Sequence, residues 1–137
     1  MLVPISMFRL VASLAVVAPL TALAASAHKG DPAAGKIMYT DCAGCHAFNT
    51  NKVGPKHCGV VGRKAASVSD FADYSEALSQ SGLVWDEKTL SKYLENPMAF
   101  LPDTTMEYGG VPDEESRLDL IAYMRQMSAD PKVCPKK

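Results

Sequence analysis

Two thiols three residues apart, with an imidazole directly after the second, occur at Cys42-Ala43-Gly44-Cys45-His46. Cysteines at that interval project from the same side of a helical turn, so each can add to one of the two vinyl groups of a haem. The adjacent imidazole then reaches the iron, which makes the segment a c-type haem attachment pattern. A second candidate ligand is Met106, far downstream in Leu101-Pro102-Asp103-Thr104-Thr105-Met106, a segment with loop rather than helix chemistry. A histidine and a methionine together leave no open position on iron and raise its reduction potential. That suits passing electrons and disfavours binding or activating oxygen. The other methionines fit this role less well. Met1 and Met7 lie in the N-terminal segment, Met38, Met124 and Met127 fall at helical spacing and read as core, and Met98 follows a proline on the loop side.

The elements that must position these groups read as helices. Asp31 followed by Pro32 is a helix start, a capping side chain with proline at the first helical position. Gly35, Met38, Tyr39 and Cys42 then recur at i, i+3, i+4 and i+7, so this helix buries one face and delivers the cysteines. Residues 47 to 69 have no usable period and are rich in Gly, Asn, Lys and Ser, the composition of an extended loop. A short helix is expected from Tyr74 to Gln80, ending at Gly82. Asp86 caps another, with Leu90, Tyr93 and Leu94 as its inner stripe, and Asn96-Pro97 either ends it or starts a further turn. Asp113 caps the last helix, whose Glu114 and Glu115 sit well in its first turn. Leu118, Leu120, Ile121, Tyr123, Met124 and Met127 give that helix a wide apolar face. Gly35 and Tyr39 on the first helix suit a close crossing with Leu120 and Tyr123 on the last. No run has strand period, and the class is all-α.

Residues 1–27 look like an export signal. Arg9 precedes an apolar run from Leu10 to Leu23, and Ala25-Ser26-Ala27 is a small-x-small cleavage site. The expected mature domain is 28–137, beginning at His28, with no membrane span; the alternative is a retained segment that anchors the protein. Losing the signal removes Arg9 alone from the 14 basic residues, leaving 13 against 15 acidic, a formal charge of −2. That excludes a nucleic-acid binder of the basic-patch kind. Roughly 110 residues is a modest size for an all-protein core, so a buried cofactor is expected to supply part of it and the apo chain to fold poorly. With Cys42 and Cys45 assigned to haem, Cys58 and Cys134 remain. In an oxidising compartment they are expected to pair, the alternative being two unrelated free thiols.

Taken together, these features resemble a class I cytochrome c, in a form close to the mitochondrial protein and to small periplasmic bacterial relatives. Beyond the haem motif the resemblance rests on Val53-Gly54-Pro55, Gly59-Val60-Val61-Gly62-Arg63-Lys64, Tyr74, Trp85, Tyr93-Leu94-Glu95-Asn96-Pro97, Pro102 with Met106, and Leu120-Ile121-Ala122-Tyr123. It implies one haem c per chain, attached through Cys42 and Cys45, with His46 and Met106 as axial ligands. It implies that the Pro55 carbonyl accepts the Nδ1 proton of His46, and that Arg63, Tyr74 and Trp85 hold a buried haem propionate. Tyr93 is implied to stand near the Met106 sulfur, with Asn96 and Thr104 pinning the methionine loop. His57 reads as a surface residue on the His46 side, and His28 as exposed.

The implied function is a soluble, monomeric, periplasmic electron carrier that docks transiently on redox protein partners and is not itself an enzyme. The rival readings are a tethered relay subunit of a dehydrogenase or oxidase, a haem sensor with a displaceable methionine, and a thiol-disulfide oxidoreductase. The last lacks the strand pattern expected of its fold. One departure bears on partners. Mitochondrial relatives ring the haem edge with lysines, whereas the corresponding positions here resemble Met98, Ala99, Thr105, Pro112 and Asp113. From Met98 to Ser116 there is no Lys or Arg, while Asp103, Glu107, Asp113, Glu114 and Glu115 are acidic.

Overall fold

A computed structural model describes residues 28–136, so the expected signal segment and its cleavage site lie outside the described residues. Five helices follow in order: α1 (Pro32–Cys42), α2 (Glu76–Gln80), α3 (Glu87–Glu95), α4 (Pro97–Phe100) and α5 (Glu114–Ala129). Each starts where a side-chain oxygen can take a free amide of the first turn. Asp31 accepts from the Ala33 N–H at 2.8 Å, Asp86 from Thr89 at 2.7 Å, Asn96 from Ala99 at 3.1 Å and Asp113 from Ser116 at 2.8 Å. Asn96-Pro97 thus does both things its sequence allowed, closing α3 and opening α4. The second helix begins two residues later than expected, because Ser75 rather than a residue before Tyr74 is its cap.

The fold is all-α, and among the described residues the only β pairing is an isolated bridge between Lys64 and Val84. Its centre is the crossing of α1 and α5, where Gly35 lets the two backbones touch. A methyl group on Gly35 would lie 2.9 Å from the Leu120 amide nitrogen and closer still to the Asp119 carbonyl. Around the crossing Tyr39 stacks on Phe48 with ring centroids 4.7 Å apart and meets the edge of Tyr123 at 5.4 Å. Leu120, Ile121 and Met124 complete the seam from the other side, and Leu90, Tyr93 and Leu94 of α3 close it below. Among the described residues no helix is long and apolar enough to cross a membrane.

Beyond α5 the tail is tied down covalently. Cys58 and Cys134 form a disulfide across 76 residues, with Cα atoms 5.5 Å apart, so the pairing expected from the cysteine count is present. The bridge fastens the loop that follows the haem motif to the end of the last helix, and so holds the back of the site against α5.

Candidate functional site

The last turn of α1 carries Cys42. The chain then tightens through Cys45 N–H to Cys42 O at 3.1 Å and His46 N–H to Cys42 O at 2.9 Å, which sets both thiols and the imidazole on consecutive turns of one coil. All three line a single cavity of about 480 Å³, together with Met106 arriving from the 101–106 loop. The remaining lining is largely apolar and comes from every part of the chain: Val60, Leu78, Leu90, Leu94, Leu120 and Met124. Pro55, Arg63, Tyr74, Trp85 and Tyr93 line it as well, so every candidate site residue named from sequence meets at one place.

The polar groups of the cavity are each held in a definite state. His46 Nδ1 lies 2.7 Å from the Pro55 carbonyl. A carbonyl only accepts, so Nδ1 carries the proton and Nε2 keeps its lone pair. Burial, opposed by that hydrogen bond and aided by Lys52, holds the His46 pKa below the usual histidine value, which keeps the ring neutral. Gly54 makes room for the ring, since a methyl group there would stand 2.7 Å from both ring nitrogens. Burial first, then Asp41 and Cys45, push the Cys42 thiol up to about 11. An attacking thiol of the oxidoreductase kind needs the opposite shift.

On the other wall, Tyr93 Oη and Thr104 Oγ1 are 2.9 Å apart, and Thr104 Oγ1 accepts from the Met106 N–H at 3.4 Å. Thr104 therefore ties the methionine loop to Tyr93, the role the resemblance implies for it. Asn96 acts one step earlier, fixing the start of α4. Arg63 spends two of its donors on backbone, Nη1 to Cys58 O at 2.8 Å and Nη2 to Lys56 O at 2.9 Å. Tyr74 Oη accepts from the Val68 N–H at 3.2 Å, which leaves its own O–H free to donate. Trp85 is buried, its ring 4.9 Å from that of Tyr93, and its Nε1–H meets no protein acceptor among the described residues.

One position differs from the sequence reading, and a second was not singled out by it. His57 is not a surface residue: its ring stacks on that of His46, centroids 4.1 Å apart and planes 22° from parallel, and its Nδ1 lies 3.0 Å from Tyr39 Oη. The backbone draws it in, because His57 N–H bonds to Ala47 O at 2.9 Å and Cys58 N–H to Phe48 O at 2.8 Å. Arg117 is buried on α5, where Nε reaches Ser91 Oγ at 3.0 Å and Nη1 the carbonyls of Val111 and Pro112 at 2.8 and 2.6 Å. The clue lay in its register. Arg117 occupies the same stripe as Leu120, Ile121 and Met124, at i, i+3, i+4 and i+7.

The cavity fits a haem by its own chemistry. It is an apolar slot with two thiols on one edge, a neutral imidazole with a free lone pair and a thioether, and donors at Tyr74 and Trp85 without a protein acceptor. Among the described residues no three His, Cys, Asp or Glu side chains converge as a bare-ion site.

Comparison with known proteins agrees. The family model described as cytochrome c matches residues 32–128. Cytochrome c2 of Rhodoblastus acidophilus is 42% identical over 104 residues, 74% of this chain and 96% of that protein. Cytochrome c of Theileria annulata is 44% identical over 105 residues, 74% of this chain and 90% of that protein. Among solved structures, cytochrome cH from Methylobacterium extorquens superposes with a TM-score of 0.68 at 41% identity, covering 71% of this chain and 99% of that one. The chain is a class I member of the cytochrome c family, an all-α electron-transfer fold with one covalently attached haem c.

Proposed function

We propose that this protein is a soluble periplasmic electron carrier in which Cys42 and Cys45 hold the haem as thioethers while His46 and Met106 occupy both axial positions. Bound there, the haem supplies a one-electron couple. The protein residues do the rest. Pro55 fixes the His46 tautomer, and Thr104 with Tyr93 holds the methionine loop. Tyr74, Trp85 and the remaining donors of Arg63 stabilise the propionate charge that would otherwise be costly in an apolar slot. Keeping both ligands in both oxidation states limits reorganisation, which is what a carrier requires. No bond-making chemistry is asked of any side chain.

The observation that carries this reading is the convergence of Cys42, Cys45, His46 and Met106 on one apolar cavity from segments some 60 residues apart in sequence. Its test is optical. Ferric protein should show the far-red band of sulfur ligation, and Met106→Ala should abolish it while leaving the haem covalently bound. A band that survives Met106→Ala would remove Met106 from the ligand set. Sequencing the N-terminus of protein from the periplasmic fraction tests export, with His28 the expected first residue.

The partner face follows from the cavity mouth. Its exposed lining residues include Asp41, Asp73 and Glu107 against Lys64 alone, with Val53 79% exposed beside them. Met98, 52% exposed on α4, adds a second apolar point. An acidic rim with apolar points suits transient docking on a redox protein that presents lysines or arginines, and disfavours the mitochondrial type of oxidase contact.

A further inference from the structure

The stacked pair His46 and His57 carries one more step, which rests on His46 being the iron ligand. His57 lies face to face with His46 at 4.1 Å. It is held there from three sides. Tyr39 Oη bonds its Nδ1 at 3.0 Å, the Ala47 carbonyl takes its N–H at 2.9 Å, and Phe48 and Tyr39 press their ring edges on it at 6.4 and 5.8 Å. Tyr39 is itself fixed, buried at the α1–α5 crossing and stacked on Phe48. The His57 ring therefore stands in one place, joined to Tyr39 by a single hydrogen bond between Nδ1 and Oη. Packing alone does not call for this arrangement, since an aliphatic side chain would fill the same space without a buried acceptor to satisfy.

We propose that the Tyr39–His57 pair is a positioning and tuning device for His46, fixing the plane of the ligand ring and setting the electron density against its face. An imidazole bound to iron is more electron-poor when the iron is oxidised. A neutral aromatic face lying parallel to it favours that electron-poor state, for the reason that ring faces attract cations. His57 thus pulls the reduction potential down, opposing the upward pull of the thioether. With the Tyr39 hydroxyl as donor to Nδ1, it withdraws density from His57 and so moderates the effect. The two residues act with opposite sign on one ligand.

The test uses the haem-loaded protein with His57→Leu, close in volume and aliphatic, and Tyr39→Phe, which removes only the hydroxyl. Redox titration should show the potential rising in His57→Leu and falling by less in Tyr39→Phe. Proton NMR of the oxidised protein should show a changed spread of hyperfine-shifted haem methyl signals, which reports the ligand plane. Where His57→Leu does not load haem, Tyr39→Phe carries the test alone. Wild-type potentials and methyl spreads in the variants overturn the proposal, whatever happens to their melting temperatures. Shifts of the same sign in both overturn it too, because they mean solvent entry rather than tuning. Failure of the underlying ligand assignment looks different: the wild type itself would then lack the hyperfine-shifted ring protons of an iron-bound His46.

Discussion

Gly54 lies against the ring of His46 so closely that a methyl group there would stand 2.7 Å from Nδ1 and from Nε2. The ring has nowhere to retreat, because His57 is stacked on it at 4.1 Å and the Pro55 carbonyl holds Nδ1 at 2.7 Å. Gly54→Ala should therefore cost about 2 kcal/mol as overpacking and tilt the ligand ring. Denaturant unfolding of the holoprotein measures the first effect, and weakening of the far-red ferric band the second. Wild-type values for both would mean that the 52–56 loop yields freely.

The disulfide between Cys58 and Cys134 closes a loop of 76 residues. Replacing both cysteines by serine should lower stability by about 4 kcal/mol, the loss of a constraint on the unfolded chain. The optical spectrum should barely change at low temperature, since neither sulfur lines the cavity. Urea unfolding of the reduced wild type and of the double variant should give the same midpoint.

Much of this architecture is legible in the sequence because its signals are local. The caps Asp31, Asp86, Asn96 and Asp113 lie within three residues of the amides they accept from, and the haem motif spans five residues. The placement of Met106 in a loop was legible from the residues around it. His57 and Arg117 were not, because their partners lie elsewhere in space. The ring of His57 is placed by Tyr39, 18 residues earlier, and the guanidinium of Arg117 by Ser91, 26 residues earlier. Composition-based reading sends a loop histidine and a helix arginine to the surface. Only the folded chain shows a partner waiting for each.

Arg117 ties α5 to α3 and to the segment that leads away from Met106, through Ser91 and the carbonyls of Val111 and Pro112. Its 4.0 Å approach to the exposed Glu95 adds little. Arg117→Met keeps the bulk and leaves those buried acceptors without a donor, at a cost of about 3 kcal/mol. The far-red band should then melt at a lower temperature than the helix signal, since the methionine loop loses its exit anchor. Coincident melting of the two signals would show that Arg117 serves only the global fold.

Asp119 bridges the start of the described chain to α5, with Oδ1 2.6 Å from both His28 Nε2 and the Asp31 N–H. The hydrogen bond to Asp119 is the main cause raising the His28 pKa above 6.5. Burial acts to raise that of Asp119, but the Asp31 amide and His28 outweigh it and hold the carboxyl below 3.8. A raised histidine contributes stability that is present below its unfolded pKa and lost as pH rises through the folded value. A depressed carboxyl contributes above its unfolded pKa and loses it as pH falls. The pair should therefore matter most between about pH 4 and pH 6.5. Unfolding midpoints of wild type and His28→Ala should differ in that window and converge by about pH 9. A difference that stays constant from that window up to about pH 9 would show that the contact is not an ion pair.

The exposed charged residues that line the cavity are mostly acidic. Asp41 and Glu107 line the cavity and are exposed, as is Cys45. A partner with a basic face is drawn to such a rim at long range, and salt shortens that range from about 30 Å at 0.01 M to about 8 Å at 0.15 M. The bimolecular rate with a lysine-faced redox partner should then fall on the order of tenfold across that salt range. Asp41→Lys with Glu107→Lys should slow the reaction at low salt and flatten its salt dependence, while the rate at high salt changes little. With an acidic-faced partner the same double variant should react faster than wild type. If charge reversal slows both partners alike, the rim is not what steers the encounter, and the apolar points at Val53 and Met98 must carry docking instead.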